Sequence, residues 1–129
     1  MRKIFAIFGL SAILLTSCGS SGGSVTNQGV ADFATTATSA STIVLDVRTP
    51  GEYAAGHLAN SINIDIEGMQ FTSDVSKLNK TKTYAVYCQS GRRSGIATSE
   101  MSKLGFTSLF NLNGGIAGWT AAGQPVVLN

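Results

Sequence analysis

The stretch Tyr84-Ala85-Val86-Tyr87-Cys88-Gln89-Ser90-Gly91-Arg92-Arg93-Ser94-Gly95 decides how the chain is read. Tyr84 to Tyr87 suits a buried strand, and it runs directly into a cysteine. A polar loop containing a glycine follows, and Gly95 to Leu104 reads as a helix stopped by Gly105. A cysteine between a strand end and a helix N-terminus lies where free backbone N–H groups and the positive end of the helix dipole favour negative charge. Gly91 can take turns closed to other residues, so successive amides can point at the Cys88 sulfur as an anion-binding concavity, with Arg92 and Arg93 adding positive charge. Such surroundings lower a thiol pKa and raise the thiolate fraction near neutral pH. Cys88 therefore reads as a nucleophile. The alternative is a small buried hydrophobe that happens to end a strand, the common fate of a free cysteine.

Outward from this stretch, short apolar strands alternate with helices. Helix is expected at Asp32 to Thr38, at Glu52 to Ala55 after the Thr49-Pro50-Gly51 turn, within Ile66 to Leu78, and as a last turn around Ile116 to Trp119. Strands are expected at Thr42 to Leu45, Ser61 to Asn63 and Ser108 to Leu112. This alternation implies an α/β domain with a central, mostly parallel sheet of about five strands and helices on both faces. About 100 residues suffice for one such domain. Ligands of open parallel sheets bind beyond the carboxyl ends of the strands, where Asp46, Arg48, Cys88 and Asn113-Gly114 would converge.

Cys88-x-x-Gly91-x-Arg93 resembles the active-site loop of the rhodanese family of sulfurtransferases. Leu45-Asp46-Val47-Arg48-Thr49-Pro50-Gly51-Glu52-Tyr53 with Gly56-His57-Leu58-Ala59-Asn60-Ser61-Ile62-Asn63-Ile64 looks like the first signature of that family, and Asn111-Leu112-Asn113-Gly114-Gly115-Ile116-Ala117-Gly118-Trp119 like its last. The three motifs cover most of the chain from Asp32 onward. The resemblance implies a double displacement in which Cys88 takes sulfur from an anionic donor such as thiosulfate and passes it to cyanide or a thiol, with no metal or organic cofactor. Gln89, Ser90, Gly91, Arg92, Arg93 and Ser94 would hold the bound sulfur and the donor. Asp46 and Arg48 read as a structural ion pair around that loop, Glu52 as a partner for one of the arginines, and His57 as a satisfied structural histidine. Trp119 and Gly114, Gly115 and Gly118 read as packing and turn residues. A persulfide carrier with little turnover, or a tethered module with a vestigial loop, would share the same site. A rhodanese-fold phosphatase would need arginine at position 94, which is Ser94 here.

At the other end, Met1-Arg2-Lys3 precedes an apolar run from Ile4 to Leu15, too short to span a bilayer, and then Thr16-Ser17-Cys18. This describes a secretory signal over residues 1–17, and Leu15-Thr16-Ser17-Cys18 resembles a bacterial lipobox in which Cys18 is lipidated. Residues 18–30, rich in Gly and Ser, read as a flexible tether, and 31–129 as the domain. The resemblance implies a lipid-anchored envelope protein, in a two-membrane bacterium one that faces the periplasm from the outer membrane, because Gly19 stands where a retention signal would show Asp. Removing 1–17 takes Arg2 and Lys3 with it, so the formal charge of +2 falls to zero and no basic field for nucleic acid remains. With Cys18 blocked, Cys88 has no partner in the chain; a Cys18–Cys88 disulfide is the alternative if the lipobox reading fails. Nothing in the sequence asks for more than a monomer.

Overall fold

The computed structural model describes residues 24–129. They run β1 (Ser24–Gln28), α1 (Val30–Thr38), β2 (Thr42–Asp46), α2 (Pro50–Ala54), β3 (Ile62–Asn63), α3 (Phe71–Ser76), β4 (Thr83–Tyr87), α4 (Arg92–Lys103), β5 (Ser108–Leu112) and α5 (Gly115–Ala121). The expected signal and the Cys18 lipidation position lie outside the described residues.

The strands form one sheet in the order β1-β5-β4-β2-β3, and every pairing is parallel. Parallel neighbours need crossovers, and the helices that make them cover both faces. Along β4 the side chains alternate between two cores. Tyr84 and Val86, followed by Cys88, face α3 and α4, joining Phe71, Val75, Ala97, Met101 and Phe106. Ala85 and Tyr87 face α1 and α5, joining Phe33, Ile116 and Trp119. All four residues from Tyr84 to Tyr87 are inaccessible to solvent, which explains why this strand has no polar alternation in sequence. An edge-to-face aromatic pair fills each layer, Tyr84 with Phe106 at 5.3 Å and Phe33 with Trp119 at 6.2 Å.

Two differences from the sequence reading bear on the site and its edge. The flexible tether expected over 18–30 is corrected from Ser24 onward, because Ser24 to Gln28 form β1, in register with β5 from Ser24 against Ser108 to Gln28 against Leu112. Asn111 Nδ2 also donates to Asn27 Oδ1 at 3.0 Å, tying the edge strand to its neighbour by side chains as well. The helix expected from Gly95 begins at Arg92, which shortens the loop after Cys88 to three residues, Gln89 to Gly91.

The chain after α5 returns to the domain. His57 and Val127 form an antiparallel bridge with N–H to carbonyl distances of 2.9 and 2.8 Å, and Trp119 Nε1 donates to the Pro125 carbonyl at 2.9 Å.

Candidate active site

Since the sheet is parallel throughout, the ends of β2, β4 and β5 bring Asp46, Cys88 and Asn113-Gly114 to one edge. Cys88 is wholly buried at the root of the loop. Gly91 takes φ of +100°, a conformation that L side chains rarely adopt, and its N–H donates to Cys88 Sγ at 3.0 Å. Ser94 Oγ lies 3.3 Å from the same sulfur. Gly91 is the N-cap residue of α4 and has no side chain to satisfy the first turn. The Cys88 sulfur takes the position that a serine or aspartate oxygen would hold at an ordinary cap. Burial pushes the Cys88 thiol up, but hydrogen bonds from the Ser94 hydroxyl and from the amides of Ser94, Gly91 and Ser90 outweigh it and hold the pKa below the usual thiol range.

The loop keeps this shape because its opposite side is fastened to α5. Ile116 N–H donates to the Cys88 carbonyl at 2.9 Å and Ala117 N–H to the Gln89 carbonyl at 3.1 Å. With the carbonyls held outward, the amides are left facing the sulfur. Gly115 permits the approach. A Cβ built there would stand 2.6 Å from the Cys88 carbonyl oxygen and closer still to the Gln89 carbonyl, and its φ is +59°. The sequence reading placed Gly115 among packing and turn residues, and the packing it serves is this contact across the sheet edge.

The ion pair expected between Asp46 and Arg48 is formed deep in the sheet edge, with Arg48 Nη2 2.7 Å from Asp46 Oδ2 and Arg48 N–H 2.8 Å from Oδ1. Arg48 Nη2 also donates to the Gly56 carbonyl at 2.7 Å. Burial works against the Arg48 charge, and the hydrogen bond and charge of Asp46 more than offset it. Tyr87 completes the network: its hydroxyl donates to Asp46 Oδ2 at 2.6 Å, accepts from Leu58 N–H at 3.0 Å, and its ring lies under the Arg48 guanidinium. Asn63 Nδ2 donates to the Asp46 and Arg48 carbonyls at 3.1 and 2.8 Å. Neither Tyr87 nor Asn63 was singled out from the sequence, where both fit ordinary strand positions.

Glu52 and Arg93 form the second pair, at 2.7 and 2.8 Å through two parallel hydrogen bonds. Thr49 caps α2 in a reciprocal box with Glu52. The Arg93 guanidinium holds the Glu52 carboxyl at about 2, against the effect of burial and with help from Thr49. His57 stacks on Tyr53 at 3.7 Å, and its Nδ1 is 2.8 Å from the Tyr53 carbonyl, as a structural residue would be. Gln89, Ser90 and Arg92 are exposed on the outer surface of the loop. Beside them a cleft of about 260 Å³ is bounded by Glu52, Gly56, Gln89, Ala117 and Thr120. The arrangement as a whole can hold negative charge on a divalent sulfur among main-chain donors.

Comparison with known proteins agrees with the fold. The rhodanese-like domain profile matches residues 30–122. A protein named sulfurtransferase from Allochromatium vinosum is 31% identical over 85 residues, covering 66% of this chain and 78% of the relative. Thiosulfate sulfurtransferase 16, chloroplastic, from Arabidopsis thaliana is 35% identical over 91 residues, covering 63% of this chain and 76% of the relative. Several other curated relatives are matched over only part of their length, between 25% and 64%. Among solved structures, a rhodanese-related protein from Thermoplasma volcanium superposes with a TM-score of 0.71 at 38% identity, covering 81% of this chain and 99% of that one.

Proposed function

The chain belongs to the rhodanese-like domain family, and on that premise we propose that it is a sulfurtransferase that carries sulfane sulfur on Cys88. The observation that carries this reading is the Cys88 sulfur accepting hydrogen bonds from Gly91 N–H and Ser94 Oγ at the N-terminus of α4. The names of the relatives from Allochromatium vinosum and Arabidopsis thaliana support the reaction class, and the second supports thiosulfate as a donor.

In the first half-reaction the Cys88 thiolate attacks the outer sulfur of thiosulfate. The donor's S–S bond breaks, sulfite leaves with the bonding pair, and Cys88 becomes a persulfide anion. In the second, a thiolate or cyanide attacks the terminal sulfur and the Cys88 thiolate returns. Neither half-reaction moves a proton, so the site needs donors for negative charge and no general base. Arg92, exposed in the first turn of α4, would draw in the donor's sulfonate.

The test is intact mass after incubation with thiosulfate. The wild type should gain one sulfur atom, removable by cyanide, and Cys88→Ser should gain none. A gain retained in the serine variant would end the proposal. The complete burial of the sulfur also favours a second reading, a carrier with low turnover that gives its sulfur to a partner protein; steady-state thiocyanate formation separates the two. The lipobox reading joins the proposal as an anchored envelope location: Cys18→Ala should move the protein from the membrane fraction to the soluble one, and a variant still in the membrane pellet would refute it.

A further inference from the structure

We infer that the Ser94 hydroxyl is a positioning group whose one proton turns between Cys88 Sγ and the Gly91 carbonyl as the charge on the sulfur changes, and that this sets how readily Cys88 ionises. The inference rests on Cys88 being the sulfur-carrying nucleophile.

Ser94 Oγ stands 3.3 Å from Cys88 Sγ and 3.2 Å from the Gly91 carbonyl oxygen. A hydroxyl has one hydrogen to donate, so it serves one acceptor at a time. Turning to the sulfur leaves nothing stranded, because the Gly91 carbonyl also receives Gly95 N–H at 3.2 Å. Among the donors to the sulfur, the amides are fixed by the backbone, whereas the hydroxyl rotates about its own C–O bond. Ser94 is wholly buried, so bulk water does not replace it.

The residue choice points the same way. Position 94 lies in the first turn of α4, packed with Ala97 and Met101 over the sheet, where alanine would suit the helix better and carry no buried hydroxyl. What serine adds there is a movable donor facing the sulfur. A thiolate draws that donor strongly, since hydrogen bonds to charged acceptors are the stronger ones. Once Cys88 Sγ is bonded to a second sulfur, the charge sits on the outer atom and the proton turns to Gly91; release of the persulfide sulfur returns it. The Ser94 side chain also stands foremost among the groups that oppose burial in setting the Cys88 pKa.

The experiment is the pH dependence of thiolate absorbance near 240 nm in the full chain, with Cys18 replaced by serine so that Cys88 alone titrates, in Ser94, Ser94→Ala and Ser94→Thr backgrounds. Ser94→Ala should raise the midpoint by about one pH unit, and Ser94→Thr should restore most of it. Iodoacetamide alkylation at pH 7 should slow by about tenfold in the alanine variant, in step with the lost thiolate. Thermal unfolding of each variant accompanies the titration. An unchanged midpoint in Ser94→Ala would overturn the inference, as would equal midpoint rises in both variants that follow loss of thermal stability. Ionisation is read without turnover, so failure of wild-type Cys88 to take sulfur from thiosulfate would be seen separately and would count against the sulfurtransferase reading alone.

Discussion

Asp46 and Arg48 are two residues apart and buried to 0% and 4% exposure, while Glu52 and Arg93 are 41 residues apart and keep 32% and 19% of their side-chain surface in solvent. Both pairs stand at the carboxyl end of the sheet, and both join a carboxylate to an arginine at 2.7 Å. The first is closed in by Tyr87, Gly56 and Asn63, with both Asp46 oxygens and the Arg48 Nε and Nη2 groups bonded, so that neither charge could survive alone. The second links α2 to the first turn of α4 and holds that turn from outside. Identical chemistry thus serves two purposes, decided by depth: the inner pair fixes the sheet edge, and the outer pair steadies the helix whose amides face the sulfur.

Removing Arg48 should have the largest effect. Arg48→Ala leaves the Asp46 carboxylate buried without its guanidinium and should cost about 3–5 kcal/mol in urea unfolding; a loss below 1 kcal/mol would erase the distinction between the pairs. Tyr87→Phe comes next, at about 1–3 kcal/mol, since it leaves Leu58 N–H without its acceptor. Arg93→Ala should cost no more than about 1 kcal/mol while slowing sulfur transfer more than it weakens folding. The outer pair also has an acid signature. Glu52 is held at about 2 against an ordinary 4.5, so its contribution is complete above pH 4.5 and disappears as pH falls through 2. The difference in thermal midpoint between wild type and Glu52→Gln should therefore be constant above pH 5 and close below 4.5. The smallest effect belongs to exposed Arg92: Arg92→Ala should alter stability by less than about 0.5 kcal/mol and raise KM for thiosulfate severalfold at nearly constant kcat.

The sheet's interior was legible because β2, β4 and β5 are buried on both faces and carry dense apolar runs bounded by turn residues. The position of Cys88 at the end of β4 followed from that. What escaped was set by partners distant in sequence. Ser24-Val25-Thr26-Asn27-Gln28 has no apolar pattern because an edge strand pairs on one side only, and its strand character comes from β5, some 80 residues away. The helix start at Arg92 was hidden because its N-cap is Gly91, which offers no capping side chain. The fit at Gly115 depends on the Cys88 and Gln89 carbonyls, which no local pattern announces.

The direction of β1 has a further consequence should Cys18 bear lipid. Ser24 starts β1 at the opposite end of the sheet from Cys88, about 16 Å away by strand rise alone. A lipid on Cys18 would then tether the domain by the strand starts, at the end of the sheet away from Cys88. Which end of the sheet carries the tether would be decided by the direction of a single edge strand.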